Sequence, residues 1–224
     1  MAYSSDGISW TAAANAAFAY EAGSYPIECI AYGGGKFVAG GISNDIAYSF
    51  DGVNWILVTK ITNGGDNIIN DIAYGDGKFV VVAYTGSKMA YSSDGINWTA
   101  FDTQNIFGNN YYRDHINGIA YGNGKFIAGG SDGKMAYSSD GIAWTAVTNT
   151  TFGGDISDIA YGGGKFIAVG NGNQMAYSSD GITWTAITNS AFGDNNYITC
   201  ITYGGGKFVA GGSGSQMAYS GIVE

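Results

Sequence analysis

The chain states nearly one sentence five times. Met-Ala-Tyr-Ser-Ser-Asp-Gly-Ile-x-Trp-Thr-Ala begins at Met1, Met89, Met135 and Met175, with a looser copy from Ile46 and a cut-off copy from Met217. Between these runs Ile-Ala-Tyr-Gly-x-Gly-Lys-Phe, from Ile30, Ile72, Ile119, Ile159 and, as Ile-Thr-Tyr, from Ile201, at spacings of 42, 47, 40 and 42 residues. A unit of this length cannot bury its own apolar face, so neighbouring units must stack to make a core. The period constrains the fold before any local reading does.

Within one unit the pattern is short strands and tight turns. Residues 156–161 are β-prone, Gly162 to Gly164 turn, Lys165 to Val169 run again, Gly170 to Gly172 break, and Gln174 to Ser178 form a third run. Asp180-Gly181 is a strong hairpin signal, and Ile182 to Ile187 make the fourth run. No stretch of adequate length carries a helical period. Four antiparallel strands about every 43 residues is the pattern of a β-propeller blade. Five Gly-x-Gly-Lys-Phe hairpins (Phe37, Phe79, Phe126, Phe166, Phe208) and five tryptophans (Trp10, Trp55, Trp98, Trp144, Trp184) count five blades.

The expectation is therefore an all-β, five-bladed propeller of four-stranded antiparallel blades in one domain spanning residues 1–224. Its blades are 27–58, 68–100, 115–146, 156–187 and a composite of 198–220 with 1–12 that closes the ring. Closure removes sheet edges that would otherwise pair with other chains. Residues 1–5 and the tail from Met217 compete for the third strand of the closing blade. The favoured arrangement puts the tail third and residues 8–12 fourth. The displaced segment would be free to pair elsewhere, so a monomer is expected with a strand-swapped oligomer as the alternative.

Ser-Ser-Asp-Gly-Ile-Thr-Trp at 178–184 resembles the Asp-box, or BNR repeat, of sialidase-like β-propellers, in a form shortened by the residue between Asp and Gly. The pairs Asp6/Trp10, Asp51/Trp55, Asp94/Trp98, Asp140/Trp144 and Asp180/Trp184 carry the resemblance through the whole chain. The turn chemistry stands without the name. Asp accepts backbone N–H groups across its own turn, Gly takes positive φ, and Trp packs between blades. These residues read as framework, not as a site.

Sialidase activity does not follow from the resemblance, because that family clamps a carboxylate with three arginines and this chain has only Arg113. His115 is the sole histidine, which leaves a His-based metal site or a Ser–His–Asp triad without support. Gly33-Gly-Gly-Lys36 lacks the Ser/Thr and the helix of a phosphate-binding loop and reads as a hairpin turn. The expectation is a non-enzyme with no cofactor and no metal. A net charge of −9 argues against nucleic acid and anionic lipid as partners. No apolar run spans a bilayer, and no secretory leader opens the chain. An extracellular or cell-surface location is favoured.

The copies agree in the turns between strands one and two and between strands three and four, which share one face. They differ on the opposite face, where specificity is expected. There Asn149, Asp155, Asn189, Asp194, Asn195, Asn196, Tyr197, Tyr20 and Tyr25, together with Glu21, combine amides, carboxylates and aromatic rings. Such a set suits sugar hydroxyls and the C–H face of a pyranose. The accompanying Phe18, Phe107, Phe152 and Phe192 read as plugs between blades. The longest connection, 101–115, adds Asn109, Asn110, Tyr111, Tyr112 and Arg113, and its bland reading is an Arg113–Asp114 surface pair. Cys29, Asp71, Gly118, Asp158 and Cys200 occupy equivalent inner positions. The two aspartates there could hold a cation or water, and the cysteines would be neighbours in a closed ring.

The expected function is a lectin-like carbohydrate-binding module acting through the variable loops on glycans or a protein surface. The alternatives are a structural or interaction propeller, such as a surface, phage-tail-like or amplified or engineered repeat scaffold, and a glycosidase. The last needs two carboxylates about 5–10 Å apart, drawn from Glu21, Glu28, Asp102 and Asp114.

Overall fold

The computed structural model describes residues 1–13, 19–20, 23–24, 26–58, 68–84, 88–110, 112–193 and 196–221, with the backbone alone at 19–20, 23–24 and 44. The chain folds as a five-bladed β-propeller. The first blade is Ile27–Gly33, Lys36–Gly41, Ile46–Ser49 and Ile56–Val58, and the second is Ile69–Gly75, Lys78–Ala83, Lys88–Ser92 and Thr99–Asp102. The third is Ile116–Gly122, Lys125–Gly130, Met135–Ser138 and Thr145–Ala146, and the fourth is Ile156–Gly162, Lys165–Gly170, Met175–Ser178 and Thr185–Ala186. The fifth has three strands, Ile198–Gly204, Lys207–Gly212 and Met217–Tyr219. Each blade is an antiparallel meander in chain order.

Alternation along the strands sends one set of side chains to the preceding blade and the other to the following one. In the second blade Ile69, Ile72, Phe79, Val81 and Ala90 pack with Val38 and Ile46 of the first. Its other face, with Ala73, Val80, Val82 and Met89, packs with Ile119, Phe126, Ala128 and Ala136 of the third. The core is therefore a series of interleaved seams, which is why the second strands, such as Lys78–Ala83 and Lys165–Gly170, are buried along nearly their whole length.

One contact recurs at the four seams between blades that follow one another in the chain. The first-strand tyrosine of a blade lies flat on the glycine ending the first strand of the blade before it. A Cβ on Gly33, Gly75, Gly122 or Gly162 would sit 2.0 Å from the ring of Tyr74, Tyr121, Tyr161 or Tyr203. Each of these tyrosines also meets the phenylalanine opposite it in its own hairpin at 4.6–4.8 Å between centroids. The repeated Tyr-Gly and Lys-Phe pairs are thus one packing unit.

The five Asp turns share one geometry. In the fourth blade Asp180 Oδ1 accepts the N–H groups of Ile182 at 2.8 Å and Thr183 at 2.7 Å. Ser178 Oγ donates to the same carboxylate at 2.9 Å and accepts the Gly181 N–H at 2.8 Å. Gly181 takes φ +75°. Those backbone N–H bonds hold the Asp180 carboxyl down at about 2. The Trp184 indole N–H returns to the Gly181 carbonyl at 3.3 Å. Trp98 is the exception, with a buried indole N–H that has no partner.

At the closing blade the pairing differs from the favoured arrangement. The tail Met217–Tyr219 does supply the third strand, in register with Val209–Gly211. Residues 8–12, however, do not become its fourth strand. Thr11–Ala12 stays paired with Ala2–Tyr3 in a separate two-stranded sheet. The physical reason is local: residues 1–13 form a hairpin stapled by its own Asp6 turn and by the Ala13 N–H on the Met1 carbonyl at 2.9 Å. Met1 and Ala13 pack with Ala39, Ala47 and Trp55 of the first blade, the place an outer hairpin of a preceding blade takes at the other seams.

Candidate functional site

The variable face is built from the turns between strands two and three and from the connections between blades. Four of the former are short 3₁₀ turns, Ile42–Asn44, Ser131–Gly133, Asn171–Asn173 and Ser213–Ser215. The incoming connection of the next blade is stitched onto them. The candidate residues that are described consequently gather seam by seam.

At the seam of the second and third blades the connection begins with a one-turn helix, Gln104–Phe107, started by the Asp102 carboxylate accepting the Gln104 N–H at 2.9 Å. Phe107 is buried in the seam, as expected of a plug. Asn110 Oδ1 accepts the Tyr112 N–H at 3.0 Å, and its carbonyl accepts the N–H groups of Arg113 and Asp114. Asp114 is not an exposed partner of Arg113. It is buried, takes the Asn110 N–H at 2.7 Å and meets Lys134 Nζ at 3.1 Å. Those contacts, the backbone N–H first, hold its carboxyl below the usual range. Asn109, Asn110, Tyr112 and Arg113 are left exposed, Tyr112 at 83%. His115 stacks on Tyr84 at 3.8 Å and 13°, with Nδ1 against the Tyr84 carbonyl.

At the seam of the third and fourth blades Asp155 spends both carboxylate oxygens within the fold, on the Asp132 N–H at 2.9 Å and on Asn171 Nδ2 at 3.2 Å. Asn149 is exposed, and Phe152 is half-buried against the core. At the seam of the fourth and fifth blades Asn196 Nδ2 donates to Gln216 Oε1 at 3.0 Å, and its side-chain oxygen accepts from Ser213 Oγ at 3.3 Å. Phe192 is buried there, while Asn189 and Tyr197 stay exposed. Tyr25, Tyr111, Asp194, Asn195, Phe18 and Glu21 lie outside the described residues. Of Tyr20 only the backbone is described, in Ala19–Tyr20 paired with Gly23–Ser24.

A recurrent stitch was not read from the sequence. The residue just before the third-strand Met-Ala-Tyr holds the incoming connection: Lys134 donates to the Phe107 carbonyl at 2.8 Å, Gln174 accepts the Gly153 N–H at 3.0 Å and Gln216 accepts the Gly193 N–H at 3.3 Å. The signal was there, as a polar residue of changing identity ahead of an otherwise constant motif.

The inner aspartates also serve the fold. Asp71 accepts the N–H of Ile72 and, across the seam, of Ile119, both at 2.8 Å. Asp158 does the same for Ile159 at 2.7 Å and Ile201 at 2.8 Å. The donors are free because each first strand is the innermost of its sheet and pairs on one side only, so alternate N–H groups point away from the ladder. Burial pushes the Asp71 carboxyl up to about 7, aided by Asp158, and burial likewise pushes Asp158 up to about 6. Among the described residues no group of three or more metal-ligating side chains comes together. Cys29 is buried and Cys200 exposed, both as free thiols.

No family model matches the sequence, and no curated protein matches it. Solved structures do. The chain is similar to YCF48 bound to a D1 peptide (TM-score 0.66, 15% identity, covering 88% of this chain and 65% of that one). It is also similar to virginiamycin B lyase from Staphylococcus aureus (0.64, 13%, 88% and 70%) and to U3-55K (0.67, 10%, 91% and 63%). These are β-propellers, and at such identities the likeness establishes the fold alone. The chain spans 65% of the length of that YCF48 chain. No helix among the described residues is long and apolar enough to cross a membrane.

Proposed function

We propose that the chain is a non-enzymatic, lectin-like binding module that takes carbohydrate at shallow, repeated sites on its variable face. The observation that carries this is the division of labour at the seams. Asp114, Asp155 and Asn196 are consumed in fixing the turns. Asn109, Asn149, Asn189 and Tyr197 beside them are exposed on that fixed framework. Neutral amides and tyrosine rings on a rigid base suit sugar hydroxyls and ring faces. Sites repeated around one ring gain by avidity on a polyvalent surface even if each is weak. The Ser-x-Asp turns support keeping the resemblance to a shortened Asp-box, in a framework role.

The non-enzymatic reading rests on the state of the groups a reaction would use. His115 is stacked and engaged through Nδ1, Asp114 is tied to Lys134, and Asp102 starts a helical turn. A glycan array probed with a multimerised form of the protein tests the proposal. Binding lost on Asn189→Ala with Tyr197→Ala supports it, and no signal at high concentration overturns it.

One observation favours a protein partner instead. Tyr112 and Arg113 are exposed on the connection between the second and third blades, and Tyr and Arg dominate protein interface energetics. A similar propeller has been seen bound to a peptide. Replacing residues 109–113 by Gly and Ser would abolish binding under this reading and leave sugar binding at the other seams intact.

A further inference from the structure

Two ends of the blade series carry faces that fit each other, and we propose that a second copy of this chain docks there head to tail. The fitting partners are visible because the same contacts are satisfied four times inside the molecule. Gly33, Gly75, Gly122 and Gly162 each lie under the tyrosine of the following blade. Gly204, their equivalent in the fifth blade, has nothing within 4 Å of its Cβ position. Tyr32, the equivalent tyrosine in the first blade, is 61% exposed, and Ile30 beside it is 56% exposed where Ile72, Ile119, Ile159 and Ile201 are at most 7%. The chain thus has one seat without a tyrosine and one tyrosine without a seat.

A second pair repeats the pattern at the outer strands. Trp184 packs in one cluster with Ile127, Met135, Tyr137 and Val147 of the blade before it. The matching residues Ile167, Tyr177 and Ile187 of the fourth blade, with Tyr203 and Phe208 of the fifth, line a cavity of about 390 Å³. Residues 217–221, which include the fifth blade's third strand, place no tryptophan there. Trp10, in the N-terminal hairpin, is 66% exposed.

Both vacancies are filled at once by one arrangement. Met1-Ala-Tyr-Ser4 is identical to Met217-Ala-Tyr-Ser220, so the hairpin of an incoming copy can take the tail's register on Lys207–Gly212. Near its end the tail is held by Ser220, whose N–H meets the Phe208 carbonyl and whose hydroxyl takes the Phe208 N–H, both at 3.0 Å, and by the Tyr219 ring under Lys207 Nζ. The hairpin would bring the Asp6 turn, a fourth strand and Trp10 for the cavity beyond what residues 217–221 provide. Tyr32 of that copy would then lie on Gly204. Within a single molecule the hairpin stays on the first blade while Ile30 and Tyr32 of that blade remain uncovered, so its own fifth blade does not supply the missing contact. The interface is heterologous, continuing the seams that already join one blade to the next.

Light scattering across a concentration series tests this. The wild-type mass is expected to rise from the 23.3 kDa of one chain to twice that or more. Gly204→Ala should remain at one chain throughout, because its methyl occupies the tyrosine's seat while touching nothing in the isolated chain. Trp10→Ala should weaken association by about tenfold or more, as loss of a buried tryptophan anchor does. A wild-type protein that stays monomeric overturns the proposal: with Trp10 shielded from an aqueous quencher the chain has closed on itself, and with Trp10 accessible the faces do not dock. Gly204→Ala associating as well as wild type also overturns it.

Discussion

Glycine to alanine at one repeat position should have opposite effects in different blades, and the comparison isolates the tyrosine-on-glycine contact from everything else glycine does. At Gly122 a methyl group would lie 2.0, 2.2 and 2.3 Å from Cγ, Cδ1 and Cδ2 of Tyr161. Carbon atoms settle at about 3.5–4.0 Å, so the ring must retreat by roughly 1.5 Å. It is backed by Phe166, which is fully buried at 4.6 Å. Overpacking of this kind costs about 1–3 kcal/mol. Removing glycine's freedom from the unfolded chain returns only about 0.4–1 kcal/mol. Gly122 does not have positive φ, so no backbone strain is added. For a chain of this size about 1 kcal/mol moves Tm by roughly 2–4 °C, so Gly122→Ala should melt several degrees below wild type. Gly204→Ala meets nothing and should melt no lower, when both are measured by circular dichroism below the concentration of any association. Equal Tm values for the two variants would refute the packing argument.

The raised carboxyls give stability a pH dependence of known sign. Asp71 and Asp158 are shifted up in the folded state, so their contribution is complete below about pH 4 and is lost as pH rises through about 6 and 7. Denaturant titrations of Asp71→Asn from pH 4 to 8 should show a shallower fall than wild type. The Asp turns act in the opposite sense, with carboxyls held low whose contribution disappears as pH falls toward about 2. Asp180→Ala should cost about 1 kcal/mol at neutral pH, comparable to losing a helix cap, and less in acid, as urea melts would show. A thiol reagent should modify Cys200 rapidly and Cys29 only on unfolding, since Cys29 is buried and its thiol is pushed up by burial. Mass spectrometry of the native protein reads the site.

The turn chemistry of the blades was legible because it is local. Ser178, Asp180, Gly181 and Trp184 form their bonds within seven residues, and the other four turns repeat them apart from the Trp98 indole. The plugs at Phe107 and Phe192 were legible from their apolar character in polar connections. The fates of Asp155 and Asn196 were not: their partners, Asp132, Asn171, Ser213 and Gln216, lie some 16 to 23 residues away on another turn. A polar side chain that will fix a turn and one left exposed to meet a ligand look alike until that distance is closed. Asp71 and Asp158 mislead in the same way, because the N–H groups they accept belong to the following blade.

By itself the sequence determined the unit, the count and the framework. A literal repeat of about 43 residues with one Asp-Gly turn and one tryptophan per copy leaves a propeller as the solution that buries every face. What only the tertiary structure decided is how the ends are used. Met1-Ala-Tyr-Ser and Met217-Ala-Tyr-Ser are chemically the same strand, and the tail takes the third-strand place in the fifth blade, as favoured from the sequence. The hairpin's own turn keeps residues 1–13 together on the first blade, the tail pairs with the fifth, and Tyr32, Trp10 and Gly204 are left without the neighbours that their copies have.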